Sequence, residues 1–99
     1  MKRRRLRIHS QAQQEIEEAF DWYFKRSPEA AGAFLDEIDA SLAQIASRPQ
    51  LYPAYTRNTR RRILASFPYS VIFQEKDDVI LVVAVAHAKR RPGYWRGRI

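Results

Sequence analysis

The chain has 99 residues, no cysteine, and a formal charge of +7 at pH 7 with a pI near 10.2. That length suits one domain with one core, and the absence of thiols excludes a disulfide framework, a cysteine zinc site and a thiol nucleophile. The longest apolar run, Val79 to Ala86, is far shorter than the roughly 20 residues a membrane-spanning helix needs. The basic start, Met1 to Arg7, lacks the apolar segment of a signal peptide, so a cytoplasmic protein with no membrane partner is expected.

Arg3 to His9 alternates, with Leu6 and Ile8 on one side and Arg5 and Arg7 on the other, which predicts a half-buried strand. Ser10 with Gln13 three residues on reads as a capping box that opens a helix. In that helix Ala12, Ile16, Ala19, Phe20, Tyr23 and Phe24 form an apolar stripe, and Glu15, Glu18 and Asp21 are expected to lie away from it. Ser27, Pro28 and Glu29 supply a second helix start. Its stripe of Ala31, Phe34, Leu35, Ile38, Leu42 and Ile45 runs until Pro49 forbids continuation. The short link between the two helices predicts an antiparallel hairpin.

Residues Arg48 to Thr59 read as a loop, and three strands follow at Arg60 to Ala65, Tyr69 to Gln74 and Val79 to His87. The last is apolar on both faces, so it belongs in the middle of a sheet with the helix hairpin over it and the first strand on its free side. The expected fold is a single α+β domain spanning residues 1–99. It comprises an N-terminal strand, an antiparallel helix hairpin, and a three-stranded antiparallel meander that forms one sheet with the first strand. Phe34, Leu35, Ile38, Val83 and Val85 should be buried together, and Lys89 to Ile99 is a basic, aromatic tail.

The charge is segregated: residues 9 to 47 carry eight acids against two bases, while the rest carries sixteen bases against three acids. A positive surface confined to one face is therefore expected, suited to phosphates or to an acidic protein segment. Arg60 and Arg62 share a face by alternation, with Arg61 opposite, and the tail interleaves Arg90 and Arg91 with Tyr94 and Trp95. Such a composition suits base stacking or a grip on backbone phosphates, although an aromatic as large as Trp95 is more often mostly buried. His87 ends the last strand, where a histidine can serve as acid or base but more commonly makes structural hydrogen bonds. Glu15, Glu17, Glu18 and Asp21 all lie on one helix, where solvation explains them. Two histidines without close carboxylates make a metal site improbable.

Several motifs occur in a specific order: Phe67-Pro68-Tyr69, then Val83-Ala84-Val85-Ala86-His87, then Arg90-Arg91-Pro92 and Tyr94-Trp95. With the serine-proline helix start and Pro49, Tyr52 and Pro53, the chain resembles the RelE/ParE toxins of type II toxin-antitoxin systems over nearly its whole length. It is closer to the ParE, or plasmid-stabilisation, branch. It departs at Ser70, where many ParE-like sequences carry arginine. The resemblance implies a toxin that poisons DNA gyrase through protein contact, is neutralised by a cognate antitoxin, and needs no cofactor. Arg60, Arg62, Arg90, Arg91, Tyr94 and Trp95 would then bind target or antitoxin. The alternative it implies is a RelE-like endoribonuclease that cuts messenger RNA on the ribosome, with Arg60, Arg62, His87, Arg90 and Tyr94 as its active site.

Overall fold

A computed structural model describes residues 4–99. Its elements are β1 (Arg5–Ile8), α1 (Ser10–Phe24), α2 (Pro28–Ser47), β2 (Ala54–Tyr55), β3 (Thr59–Ile63), β4 (Tyr69–Lys76) and β5 (Val79–His87), with short 3-10 turns at Pro49–Leu51 and Arg96–Arg98. The five strands form one mixed sheet in the order β1-β5-β4-β3-β2. β1 is parallel to β5 and every other pairing is antiparallel. This is the expected α+β architecture, with the doubly apolar β5 inside the sheet and β1 on its free side. Arg3, which the alternation places in the first strand, lies outside the described residues.

Local chemistry explains where the helices begin. Ser27 has extended backbone and its Oγ accepts the Ala30 N–H at 3.2 Å, with proline at the first helical position. For α1 the capping box is not formed. His9 is the cap, its Nδ1 accepting the Gln11 N–H at 3.1 Å, and Ser10 sits exposed in the first turn. A ring nitrogen two residues before that N–H does the work assigned to the hydroxyl.

The hairpin stacks Ala12, Ile16, Ala19, Phe34, Ile38 and Ile45 on Val71, Phe73, Ile80, Val82 and Val85 of the sheet. Tyr23, Phe34, Phe67 and Tyr69 close one end with ring centroids 5.1 to 5.6 Å apart, mostly edge to face. Glu37 of α2 ties this end down by accepting the Ala65 and Ser66 N–H groups just before Phe67. Leu35 is only partly buried, and Phe24 is 51% exposed at the frayed end of the α1 stripe.

Val83 is buried, but not with the helices. The β4–β5 register shifts between Ile72 and Phe73, pairing Ile72 with Ala84 and Phe73 with Val82. The bulge turns Val83 and Ala84 to the same face, where they pack with Ile72, Ala86 and Trp95. Strand parity therefore slips by one, which is why Val82 and Val85 both reach the helices. The open face of the sheet has its own small core, closed by Trp95 at 1% exposure.

The stretch from Arg48 to Thr59 is not all loop. Tyr55 pairs with Thr59 and Ala54 with Arg60 around a turn in which Arg57 and Asn58 have φ of 64° and 59°. A two-residue strand carries too little alternation to show in sequence. Pro49 is buried and Leu51 is exposed.

Replacing Phe34 by alanine should cost about 3 to 5 kcal/mol through lost transfer energy and the cavity left behind. Ile63→Ala, at a position 65% exposed, should stay within about 0.5 kcal/mol. Urea titration of the two variants checks the assigned core.

Candidate functional site

The functional end of the molecule is built where β1 stops. β1 pairs with β5 as far as Ile8 opposite Val82, and the His9 N–H donates to the Val82 carbonyl at 2.9 Å. Beyond that point β5 has a free edge. Glu15 and Arg98 take the place of a neighbouring strand there. The Glu15 carboxylate accepts the Val85 N–H at 3.0 Å, and the Arg98 guanidinium donates to the Val83 carbonyl at 3.1 Å. The two side chains form a two-armed ion pair at 2.9 and 3.0 Å with only 12% and 11% of their side-chain surface exposed. The Tyr94 hydroxyl donates to the same carboxylate at 2.6 Å.

Glu15 is thus not the solvated acid expected from the sequence. Positions 12, 15, 16 and 19 are one helical stripe, so Glu15 faces the sheet beside Ala12 and Ala19. A carboxylate on an apolar stripe signals a partner, here eighty-three residues away. Burial, and then the hydrogen bond to Glu15, push the Tyr94 hydroxyl well above the ordinary phenol range, with Arg98 and Arg90 offsetting part of the effect. Tyr94 is consequently a fixed donor at neutral pH.

The anchored tail walls off a pocket of about 100 Å³ on the open face of the sheet. Arg61, Ser70, His87, Arg90 and Arg91 line it, and no carboxylate does. Arg61 pairs with Ile72, so it points to the open face, its guanidinium 4.2 Å from the centre of the Tyr55 ring. Arg90 lies over Tyr94 at 3.7 Å. His87 packs edge-on against Tyr69 at 5.0 Å, and its Nδ1 accepts the Lys89 N–H at 3.0 Å. In the neutral ring that bond leaves the proton on Nε2.

The remaining candidates lie elsewhere. Arg60 and Arg62 pair with Phe73 and Val71, which puts them on the helix side. Arg62 donates to Ser41 Oγ at 2.9 Å and to Tyr52 Oη at 3.1 Å, while Arg60 donates to the Tyr52 carbonyl at 2.7 Å and lies 3.5 Å from Glu75. The structure therefore gathers Arg90, Arg91 and Tyr94 at one site, with buried Trp95 as its floor; His87 borders it with its ring turned to the helix side against Tyr69, and Arg60 and Arg62 lie apart. Arg61 and Arg98, which the sequence pattern did not single out, and Glu15, expected to be solvated, lie beside this candidate site.

A second cleft of about 370 Å³ lies between α1 and the ends of β4 and β5, lined by Glu18, Trp22, Tyr23, Tyr69, His87 and Arg90 among others. Trp22 is 52% exposed beside it, with Arg26 stacked on its ring at 3.7 Å. Among the described residues no group of three or more acidic or histidine side chains converges as a metal site, and no helix is long and apolar enough to cross a membrane.

The family model described as "ParE toxin of type II toxin-antitoxin system, parDE" matches residues 6–92. The chain belongs to this ParE toxin family. Its relatives include Toxin ParE2 from two strains of Mycobacterium tuberculosis, each 28% identical over 90 residues, covering 90% of this chain and 86% of the relative. The fold is shared with a solved chain described as the chromosomal ParDE TA system from P. aeruginosa. The TM-score is 0.69 at 20% identity, covering 85% of this chain and 95% of that one. The match begins within β1, spans α1 to β5 of this ParE-type domain and stops at Pro92, before Tyr94 and Arg98.

Arg98→Ala should leave Glu15 buried and unpaired, at a cost of roughly 3 kcal/mol, the low end for a buried pair because some exposure remains. The stability that Tyr94 contributes is fully present below about pH 10, where the unfolded phenol ionises, and is lost as pH rises toward its higher folded value. Urea titrations from pH 8 to 11 should show the native protein losing stability above about pH 10, with a shallower loss in Tyr94→Phe. Tyr23 and Tyr69, also raised by burial, supply the remaining slope.

Proposed function

We propose that this ParE-family protein arrests growth by holding DNA gyrase in its DNA-cleaved state and is neutralised by a cognate antitoxin. The observation that carries this reading is the family match over residues 6–92, which covers the helix hairpin and all of the sheet but the first residue of β1. Two features of the surface support a protein partner. Trp22, half exposed on α1, lines the cleft that Tyr69 and Arg90 also line, Phe24 two residues on is half exposed as well, and exposed aromatics with arginine are typical of interface centres. The positive charge outside the hairpin suits the acidic segment of an antitoxin.

The arrangement of the candidate catalytic residues also supports a gyrase poison over a RelE-like messenger RNA endonuclease. Arg60 and Arg62 are occupied by Tyr52, Ser41 and Glu75, and the strand register turns them to the face opposite Arg61 of the open-face pocket. Tyr94 is a hydrogen-bond donor whose proton is held tightly, so it is a poor base. Arginine stays protonated and cannot replace it.

Induced expression without the antitoxin should stop growth, and co-expression of the antitoxin should restore it. Purified protein should raise the yield of gyrase-dependent cleaved DNA and leave ribosome-bound messenger RNA intact. Codon-linked RNA cleavage abolished by Tyr94→Phe or Arg62→Ala, with gyrase unaffected, overturns the assignment.

A further inference from the structure

The pocket under the tail collects Arg61, Arg90 and Arg91 without a single carboxylate in its lining. Ion pairs among the described residues engage Arg4, Arg60 and Arg98 instead. Gathering three guanidinium groups in one concavity costs repulsion that an anion would relieve. The volume, about 100 Å³, exceeds the roughly 10 to 15 Å³ per water-sized group that the four oxygens of a tetrahedral oxyanion require.

We propose that this pocket seats a backbone phosphate of a nucleic-acid strand. This inference goes beyond the gyrase reading, which requires no nucleic-acid contact. The aromatic residues of the tail and hairpin favour backbone over base recognition. Trp95 is 1% exposed, and the Tyr55 and Tyr94 rings are covered by the guanidinium groups of Arg61 and Arg90. A base stacking on either tyrosine therefore competes with a guanidinium already in place. Acids concentrate in the segment that forms the helix hairpin and bases outside it, so the field of the molecule turns an anionic polymer toward the sheet. Contact of this kind is insensitive to base sequence and steeply dependent on salt.

The test is fluorescence anisotropy of the native chain with labelled 20-base-pair duplex DNA, single-stranded DNA and RNA of matching sequence over a range of salt. Arg61→Gln with Arg91→Gln should weaken binding about tenfold at low salt and reduce the salt slope by about one per arginine. Arg48→Gln, exposed beyond α2, should change neither. Preference for one strand type identifies the source of the phosphodiester and upholds the site. Titrating inorganic phosphate into ¹⁵N-labelled protein should shift the Nε–H signals of Arg61 and Arg91, a readout independent of variant folding. Equal weakening by Arg48→Gln, or phosphate titration without movement of those signals, overturns the proposal. DNA binding without gyrase poisoning refutes the gyrase reading and leaves the pocket standing, whereas gyrase poisoning unchanged in the double variant with no DNA binding does the reverse.

Discussion

A strand edge that loses its neighbour must be satisfied by something else. β1 ends at Ile8, and from Val83 to Val85 the most buried strand of the sheet would present bare backbone groups next to α1. An acid from the first helix and a base from the far end of the chain supply the missing acceptor and donor. Each is satisfied by the other as well as by the strand, so a nearly buried ion pair replaces a backbone ladder without leaving a polar group orphaned.

The rest of the functional end follows from that closure. With Arg98 fixed on Val83 and Tyr94 fixed on Glu15, the intervening turn lays Trp95 over the bulge residues Val83 and Ala84. The bulge is what makes room for this second core, because regular alternation would have turned one of them toward the helices. Burial of Trp95 then positions Arg90 and Arg91 at the rim, beside Arg61 of β3. Basic character and aromatic character, interleaved in the sequence, are sorted in space. The rings become floor and support, and the guanidinium groups face the opening.

Much of this was legible from residue patterns. The limits of β5, its central place, the hairpin over it and the Ser27 cap all follow from rules that act within a few residues. What was hidden acts across many. Val82 to Val85 are all apolar, so a one-residue slip in parity leaves no mark in the sequence, and Val83 was assigned to the wrong face. Ser10 was the conventional cap, yet His9 caps the helix one residue earlier, through the Gln11 N–H. Of the site, Arg90 and Arg91 stood out because they closely follow the strand that His87 ends, while Arg61 was overshadowed by its neighbours, whose shared face turned out to be the helix side. Glu15 was readable in principle from its place between Ala12 and Ala19, but its partner was not, because nothing local connects residue 15 to residue 98.

That separation has a consequence for how the chain reaches its final form. The hairpin, the meander and the strand pairings among β2 to β5 link near neighbours in sequence and can form early, whereas the clasp closes a loop of 83 residues and must come last. Until residue 98 has emerged during synthesis, the β5 edge remains an open template. A chain cut short before that point would keep nearly all of its core and expose at Val83 the kind of unpaired backbone from which unwanted strand addition begins.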